Sequence, residues 1–411
     1  LVLNAYAVVI LTALLLDFLL GVLSDCLNIR RATERIPEEF ADVYSAEAYA
    51  KSQRYLRAHT RFGLAVSSLG LATTLAFWFL GGFAWLDRIV RAAVSYPIAR
   101  GILFIGSLIL LKMCLSIPFS AYSTFVIEEK FGFNRTTWKT FVMDRVKGLA
   151  LTALLGIPLL AAILYLFGHA GDRAWLYCWT VTVVFTLIVQ FVAPVWLFPL
   201  FNRFTPLPEG ELRSAIVDLC DRLHFPVTNV FAIDGSRRSS RANAFVTGFG
   251  RHKRIALYDT LIDQHRVDEL VAIVAHELGH WRRNHVWKGL ALGFVHSGVV
   301  FYLLSVFLTH EGLFEAFGVA PSIYAGLVFF GLLYAPVEML LSIGVNAMSR
   351  RHEYQADSFA AKATEQPAAM ARALKKLSVN NLENLTPHPL TVVLDYSHPP
   401  VLQRVRALSD S

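Results

Sequence analysis

Residues 271–285 read Val271-Ala-Ile-Val-Ala-His276-Glu277-Leu-Gly-His280-Trp-Arg-Arg-Asn-His285. On an α-helix His276 and His280 lie one above the other on a single face, about 40° apart in rotation. That spacing lets both imidazoles bind one Zn²⁺ and sets the intervening Glu277 beside the metal's water. The apolar residues 271–275 supply a surface on which such a helix packs. Past the second histidine come Trp281-Arg-Arg-Asn-His285 and then residues 289–309, which contain His296 but no formal charge. A crossing of the hydrocarbon core takes about 20 helical residues, so the motif stands at a membrane border.

Six further runs outside this stretch are long enough to cross. Residues 1–21 carry only Asp17, 62–86 no charge, 101–127 only Lys112, and 320–348 only Glu338. Residues 148–168 and 174–201 are charge-free and are joined by His169-Ala-Gly-Asp-Arg173, which reads as a tight helical hairpin. The first run lacks a basic n-region and a small-residue cleavage site, so it reads as a span rather than a signal peptide. Composition agrees: in 411 residues 55% are hydrophobic and 17% charged, and mean hydropathy is +0.48. A soluble chain this poor in charge could not cover its own surface, and the same figures exclude disorder, collagen and disulfide scaffolds. Cys26, Cys114, Cys178 and Cys220 show no CxxC spacing. Asp17, Lys112, Glu338 and His296 are costly in lipid and point to a wet or paired interior.

The net charge of +7 does not indicate nucleic acid, because the basic residues avoid the apolar runs and gather in particular loops. Arg30, Arg31, Arg35, Lys51, Arg54, Arg57 and Arg61 lie in the first loop, and Lys130, Arg135, Lys139, Arg145 and Lys147 in the third. Arg88, Arg91 and Arg100 lie in the second, Arg173 alone in the fourth, and none in the sixth. The positive-inside rule then places the odd loops in the cytoplasm, with the N-terminus outside or lumenal and the fifth loop and C-terminal tail cytoplasmic.

Two polar regions remain, 202–288 and 349–411. Each alone is near the size at which single domains become marginal, so they are expected to pack together. The first reads as a helix near 209–223, strands at 229–234, 243–249 and 255–258, a hairpin loop at 250–254, and a helix over 267–281. The expected organisation is membrane helices one to five in 1–201, a catalytic region in 202–288, helices six and seven in 289–348, and the rest of the catalytic domain in 349–411. The fold class is mainly α and polytopic: seven transmembrane helices with a zincin-like cytoplasmic catalytic domain containing a small β-sheet.

A catalytic zinc site needs a third protein ligand and an open position. Arg351-His-Glu353-Tyr-Gln-Ala-Asp357 offers Glu353 as the ligand. Asp357, one turn further on, can accept a hydrogen bond from a ligand histidine and fix its tautomer. His352 is the rival ligand, its side chain pointing about 100° away from that of Glu353.

HELGH, two apolar runs and then RRHEYQAD resemble the type I CAAX prenyl proteases, integral-membrane zinc endopeptidases of the gluzincin kind. Residues 122–134 (YSTFVIEEKFGFN), 204–210 (FTPLPEG), 243–250 (NAFVTGFG) and 397–400 (SHPP) resemble family segments in the same order. The resemblance implies one Zn²⁺ per chain on His276, His280 and Glu353, with Glu277 as general base. It implies His398 as an oxyanion donor and Arg404 either in the same role or orienting His398. Asn243, Ala244 and Phe245 match the family's substrate-aligning strand. The partners implied are the lipid bilayer and a peptide or protein C-terminus, prenylated in the family's usual case. The membrane is a bacterial inner membrane or the endoplasmic reticulum.

Three other readings compete with this one, and the first, a site-2-type intramembrane protease, would also show HExxH but needs a second, membrane-embedded aspartate motif. A membrane quality-control zinc protease uses the same chemistry with fewer spans, and an inactive transporter-like scaffold would explain seven spans without zinc.

Overall fold

The computed structural model describes residues 2–33, 35–248 and 253–409. Among the described residues, seven helices are long and apolar enough to cross a bilayer: Ala5–Arg31, Ala46–Phe79, Pro97–Phe131, Trp138–His169, Gly171–Phe201, His285–Phe307 and Ile323–Thr364. Their bounds depart from the apolar runs where turn chemistry overrides hydropathy. The run 62–86 breaks at Gly81, whose φ of 76° is left-handed and costs glycine no Cβ strain. The chain restarts as the amphipathic helix Gly82–Ala93, which buries Phe83, Leu86 and Val90 along one face. The second membrane-length helix starts at Ala46, capped by Ser45 Oγ accepting from Ala48 N at 3.1 Å. The basic segment 51–61 is therefore helical and continuous with the span. The seventh helix does not stop near residue 348. It runs unbroken to Thr364, so Glu353 and Asp357 sit on the same rod as a membrane crossing.

Among the described residues four short strands form one sheet in the order β1-β2-β4-β3: β1 (Phe204–Pro206), β2 (Val227–Ile233), β3 (Ala244–Thr247) and β4 (Lys253–Tyr258). β1 pairs antiparallel with β2, β2 parallel with β4, and β3 antiparallel with β4. The three expected strands are present. β1 and the parallel pairing were not legible, because three residues carry no alternation. The expected hairpin loop at 250–254 overlaps 249–252, which lie outside the described residues.

Among the described residues the apolar side chains gather in two large cores and a smaller cluster of Tyr55, Ile127, Phe131, Phe133 and Leu382. At one end of the bundle Trp78, Phe83, Phe104, Phe317 and Phe329 cluster, with Phe317 stacked on Phe329 at 3.9 Å and on Trp78 at 4.7 Å. The other core joins Ile216 and Leu219, Ile255 and Leu257, Leu270 and Val274, Met370 and Ala373, and Val401 and Val405. Phe40 and Tyr44 from the first loop and Tyr49 from the first turn of the second helix enter it as well, anchoring the base of that helix to the polar half. Of the charged groups in the spans, Glu338 pairs with His296 at 3.1 Å. Asp17 lines a cavity of about 780 Å³ that Glu338 also lines, and Lys112 is exposed.

Candidate metal centre

The helix Val267–Arg282 is buried almost all round: Leu270, Ala272, Ile273, Val274, Ala275, His276, Leu278 and Gly279 are all buried. Its start is fixed by Glu269 Oε2 accepting from Arg266 N at 3.1 Å. Its end is fixed by Asn284, whose φ of 58° turns the chain before the sixth membrane helix begins at His285. Gly279, inside the HELGH motif, is where this helix meets the seventh. A Cβ there would stand 3.1 Å from Phe359 Cδ1 and 3.2 Å from Ala356 Cα. Without one, the backbones approach closely enough for Glu353 to reach both histidines.

His276, His280 and Glu353 offer ligand atoms that all lie within 4.8 Å of one another. The two Nε2 atoms are 3.2 Å apart. Glu353 Oε2 is 3.4 Å from His276 Nε2, and Oε1 is 3.3 Å from His280 Nε2. These donors fit a divalent cation. The two Nε2 atoms face one another closely enough to share either a proton, as an N–H···N hydrogen bond, or a cation. Glu353 Oε2 is also buried without a hydrogen-bond partner, although Arg404 Nη1 stands 3.2 Å away as an ion pair. Two imidazoles and one carboxylate are a known donor set of zinc hydrolases. His352, the rival ligand, lies outside the group, stacked on His285 at 3.9 Å and 7°.

Asp357 Oδ1 is 2.9 Å from His276 Nδ1. Arg404 holds Asp357 with both prongs, Nε to Oδ2 at 2.8 Å and Nη2 to Oδ1 at 2.7 Å. Arg404 is buried, behind Glu353 rather than lining the cleft in front of it. His398 reaches the same carboxylate from the cleft side, Nε2 to Glu353 Oε1 at 3.4 Å. Ser397 Oγ is 2.9 Å from the other ring nitrogen of His398. The cleft holds about 430 Å³ and is lined by His276, Glu277, His280, Glu353, His398 and Val246, among others.

Of the strand residues singled out, Asn243 gives its carbonyl to Tyr258 N at 3.0 Å, and its side-chain oxygen accepts from Ala244 N at 2.9 Å. Phe245 packs edge-on against Phe198. In an antiparallel pair residues alternate between facing the partner and facing away, so Ala244 and Val246 turn their backbone groups to the free edge of β3. Sequence reasoning missed Val246, the strand residue that borders the cleft. It also missed His285 and Gln355. His285 Nδ1 is 3.2 Å from His280 Nδ1, and His285 Nε2 is 2.9 Å from Gln355 Oε1. Nothing in the sequence marks His285, because only the break at Asn284 brings it back against His280.

A seven-helix membrane bundle carrying this two-histidine, one-carboxylate group belongs to a definite class, the multi-pass membrane metallopeptidases. Residues 25–203 match the CAAX prenyl protease N-terminal region with its five membrane helices, and 206–411 match peptidase family M48. CAAX prenyl protease 1 homolog of Arabidopsis thaliana is 35% identical, with 91% of this chain and 90% of that protein covered. CAAX prenyl protease 1 of Saccharomyces cerevisiae is 34% identical, with 91% and 88% covered. The crystal structure of S. mikatae Ste24p superposes with a TM-score of 0.90 at 32% identity, covering 98% of this chain and 99% of that one. The chain belongs to peptidase family M48, in its CAAX prenyl protease group.

Proposed function

We propose that this membrane metallopeptidase is a zinc endopeptidase that releases the C-terminal tripeptide of prenylated CAAX proteins, with its cleft open to the cytoplasm. The observation that carries the chemistry is the convergence of His276, His280 and Glu353 beside a strand with a free edge. The named activity of the relatives supports the substrate class. The loop distribution of Lys and Arg supports the orientation. Residues 202–288, between the fifth and sixth spans, and 349–411, from the polar end of the seventh helix onward, make up the catalytic unit.

In this reading His276, His280 and Glu353 hold one Zn²⁺, which when bound supplies Lewis acidity to the scissile carbonyl and to water. Asp357 accepts the His276 Nδ1 proton and so keeps Nε2 free as a donor atom. Arg404 then cannot also donate to that nitrogen, so it acts as a positioning residue for Asp357. His280 follows the same logic. Its Nδ1 proton goes to His285 Nδ1, and the His285 Nε2 proton goes to Gln355 Oε1.

An extended peptide adding to β3 meets the Ala244 carbonyl and both backbone groups of Val246, the Ala244 N–H being taken by Asn243. Burial raises the Glu277 carboxyl above the ordinary carboxylate range, which suits a base working near neutral pH. Glu277 takes a proton from the attacking water and delivers it to the leaving amine as the peptide C–N bond breaks. With Ser397 Oγ donating to His398 Nδ1, the Nε2 proton faces the cleft, where charge develops on the carbonyl oxygen.

Mass spectrometry of products from a farnesylated CAAX peptide and an unprenylated control tests the specificity. Release of the last three residues from the farnesylated peptide alone is expected, and equal cleavage of both would overturn it. Glu277→Gln should keep stoichiometric zinc and lose turnover, whereas full zinc in His276→Ala or His280→Ala would reject the ligand set.

A further inference from the structure

The second membrane-length helix is two-faced below its apolar stretch. At about 100° per residue, Lys51, Arg54, Arg57, Ala58 and Arg61 fall within an arc of about 120°. Tyr49, Ser52, Gln53 and Thr60, on the other side, are buried. That buried side is tied to the polar half: Tyr55 Oη donates to Glu128 Oε1 at 2.7 Å, and Arg241 Nη2 pairs with Glu128 Oε2 at 3.1 Å. The basic side instead borders a cavity of about 430 Å³ lined by Lys51, Arg54, Arg57, Ala58, Arg61, Lys130 and Phe131.

Five cations crowd this cavity, and among the described residues none of them forms an ion pair. The two carboxylates nearest Lys130 in sequence are turned elsewhere, Glu128 to Tyr55 and Arg241, and Glu129 to Asn134 Nδ2 at 2.9 Å. Other cations of the polar half do have partners, as Lys375 with Asp42 and Arg406 with Glu39. Like charges held on one concave surface repel one another, so an anion that enters the cavity relieves that repulsion as well as pairing with each cation. The volume suits a small ligand or headgroup and is too small for a folded partner.

The position selects the source of the anion. Immediately past Arg61 the apolar stretch begins with Phe62, which stacks on Tyr122 of the third helix at 5.2 Å and 27°. Tyr122 and Val126 are exposed, so apolar surface continues from the mouth of the cavity along the hydrocarbon side of both helices. We propose that this cavity binds the phosphate headgroup of an anionic phospholipid whose acyl chains lie along Phe62, Tyr122 and Val126. Basic pockets between membrane helices are the physical setting for such binding. The proposal stands apart from the peptidase reading, since none of its residues belongs to the metal group or the cleft.

The test uses the full-length protein in neutral-lipid nanodiscs, with short-chain phosphatidic acid as probe and phosphatidylcholine of equal chain length as control. Phosphatidic acid should be retained in native mass spectrometry, and phosphatidylcholine should not. The triple variant Arg54→Gln, Arg57→Gln, Arg61→Gln should bind on the order of a hundredfold more weakly, from about fivefold per cation near a membrane surface. The double variant Arg30→Gln, Arg31→Gln should bind as the parent does. Unchanged affinity in the triple variant, or an equal loss in the double variant, would overturn the proposal. Displacement of the lipid by an equimolar amount of inorganic phosphate would make it a free-phosphate site and refute the lipid assignment. Should the triple variant not reconstitute, the parent alone decides, because equal retention of the two lipids is a negative result.

Discussion

Replacing His285 with alanine probes how much the metal group depends on a residue that does not touch the metal. The substitution leaves the His280 Nδ1 proton without the acceptor that stands 3.2 Å away, and it frees Gln355 from its 2.9 Å contact. Partners of this kind are worth roughly 10–100-fold in metal affinity. A separation of 3.2 Å is at the long end for an N–H donor, so the lower part of that range applies, about 10–30-fold, or about 1.4–2 kcal/mol. Competition against a fluorescent chelator at fixed pH, on full-length protein in detergent, reads this directly. Gln355→Glu should act in the opposite sense, because a charged acceptor strengthens the relay and makes His280 the better donor. The His285 ring also stacks on His352, so melting of the zinc-free protein must be followed in parallel to separate packing from metal affinity. An unchanged zinc Kd in His285→Ala, with normal melting, would show that His280 is oriented by its helix alone.

Four further outcomes follow from the geometry. Burial pushes the His276 imidazole down, but its hydrogen bonds with Asp357 and Glu353 outweigh that and raise it to about 9 in the metal-free site. Metal must displace this proton, so zinc affinity should fall about tenfold per pH unit below about 9 and level off above it. The same proton stabilises the metal-free fold fully below about 6.5 and is lost as pH rises through about 9; a zinc affinity that is flat between these limits would contradict the assignment. His398→Ala should keep its zinc while kcat drops roughly 10²–10³-fold, and loss of zinc would make His398 a ligand. Gly279→Ala should lower stability by about 1–3 kcal/mol through overpacking against Ala356 and Phe359, measured by thermal melting; a neutral result would mean the two helices separate freely. A cysteine introduced at Glu209, in a chain whose exposed Cys26 and Cys114 are replaced by serine and whose Cys178 and Cys220 are buried, should be labelled only from the cytoplasmic side and one at Asp172 only from the other, and the reverse pattern would invert the topology.

The sequence carried the parts of this molecule that rest on local pattern. Seven apolar runs became seven membrane-length helices, and His276 and His280 share one helix face because i, i+4 spacing is a local property. What it did not carry was set by single residues acting over distance. Gly81 splits an apolar run that hydropathy reads as continuous. The seventh helix extends past its apolar stretch because nothing after residue 348 breaks it until the left-handed Glu365. Arg404 could be placed near the site by resemblance, but only the packed helix Val401–Ser409 puts its guanidinium on Asp357 rather than in the cleft. His285 illustrates the limit most sharply, since five residues after His280 is the wrong spacing for an unbroken helix.

The unbroken helix Ile323–Thr364 also has a consequence for how the protein is made. His276 and His280 leave the ribosome before the sixth helix is synthesised, whereas Glu353 follows only after the seventh. Between the two halves of the group lie two membrane crossings, so the third side chain reaches its place only when both have been inserted and the seventh helix has docked across Gly279. A nascent chain halted before the seventh helix is made holds the two histidines without Glu353. On the proposed ligand set, peptidase competence would follow only on completed membrane insertion, so that an unfinished copy would not cut its neighbours in the bilayer.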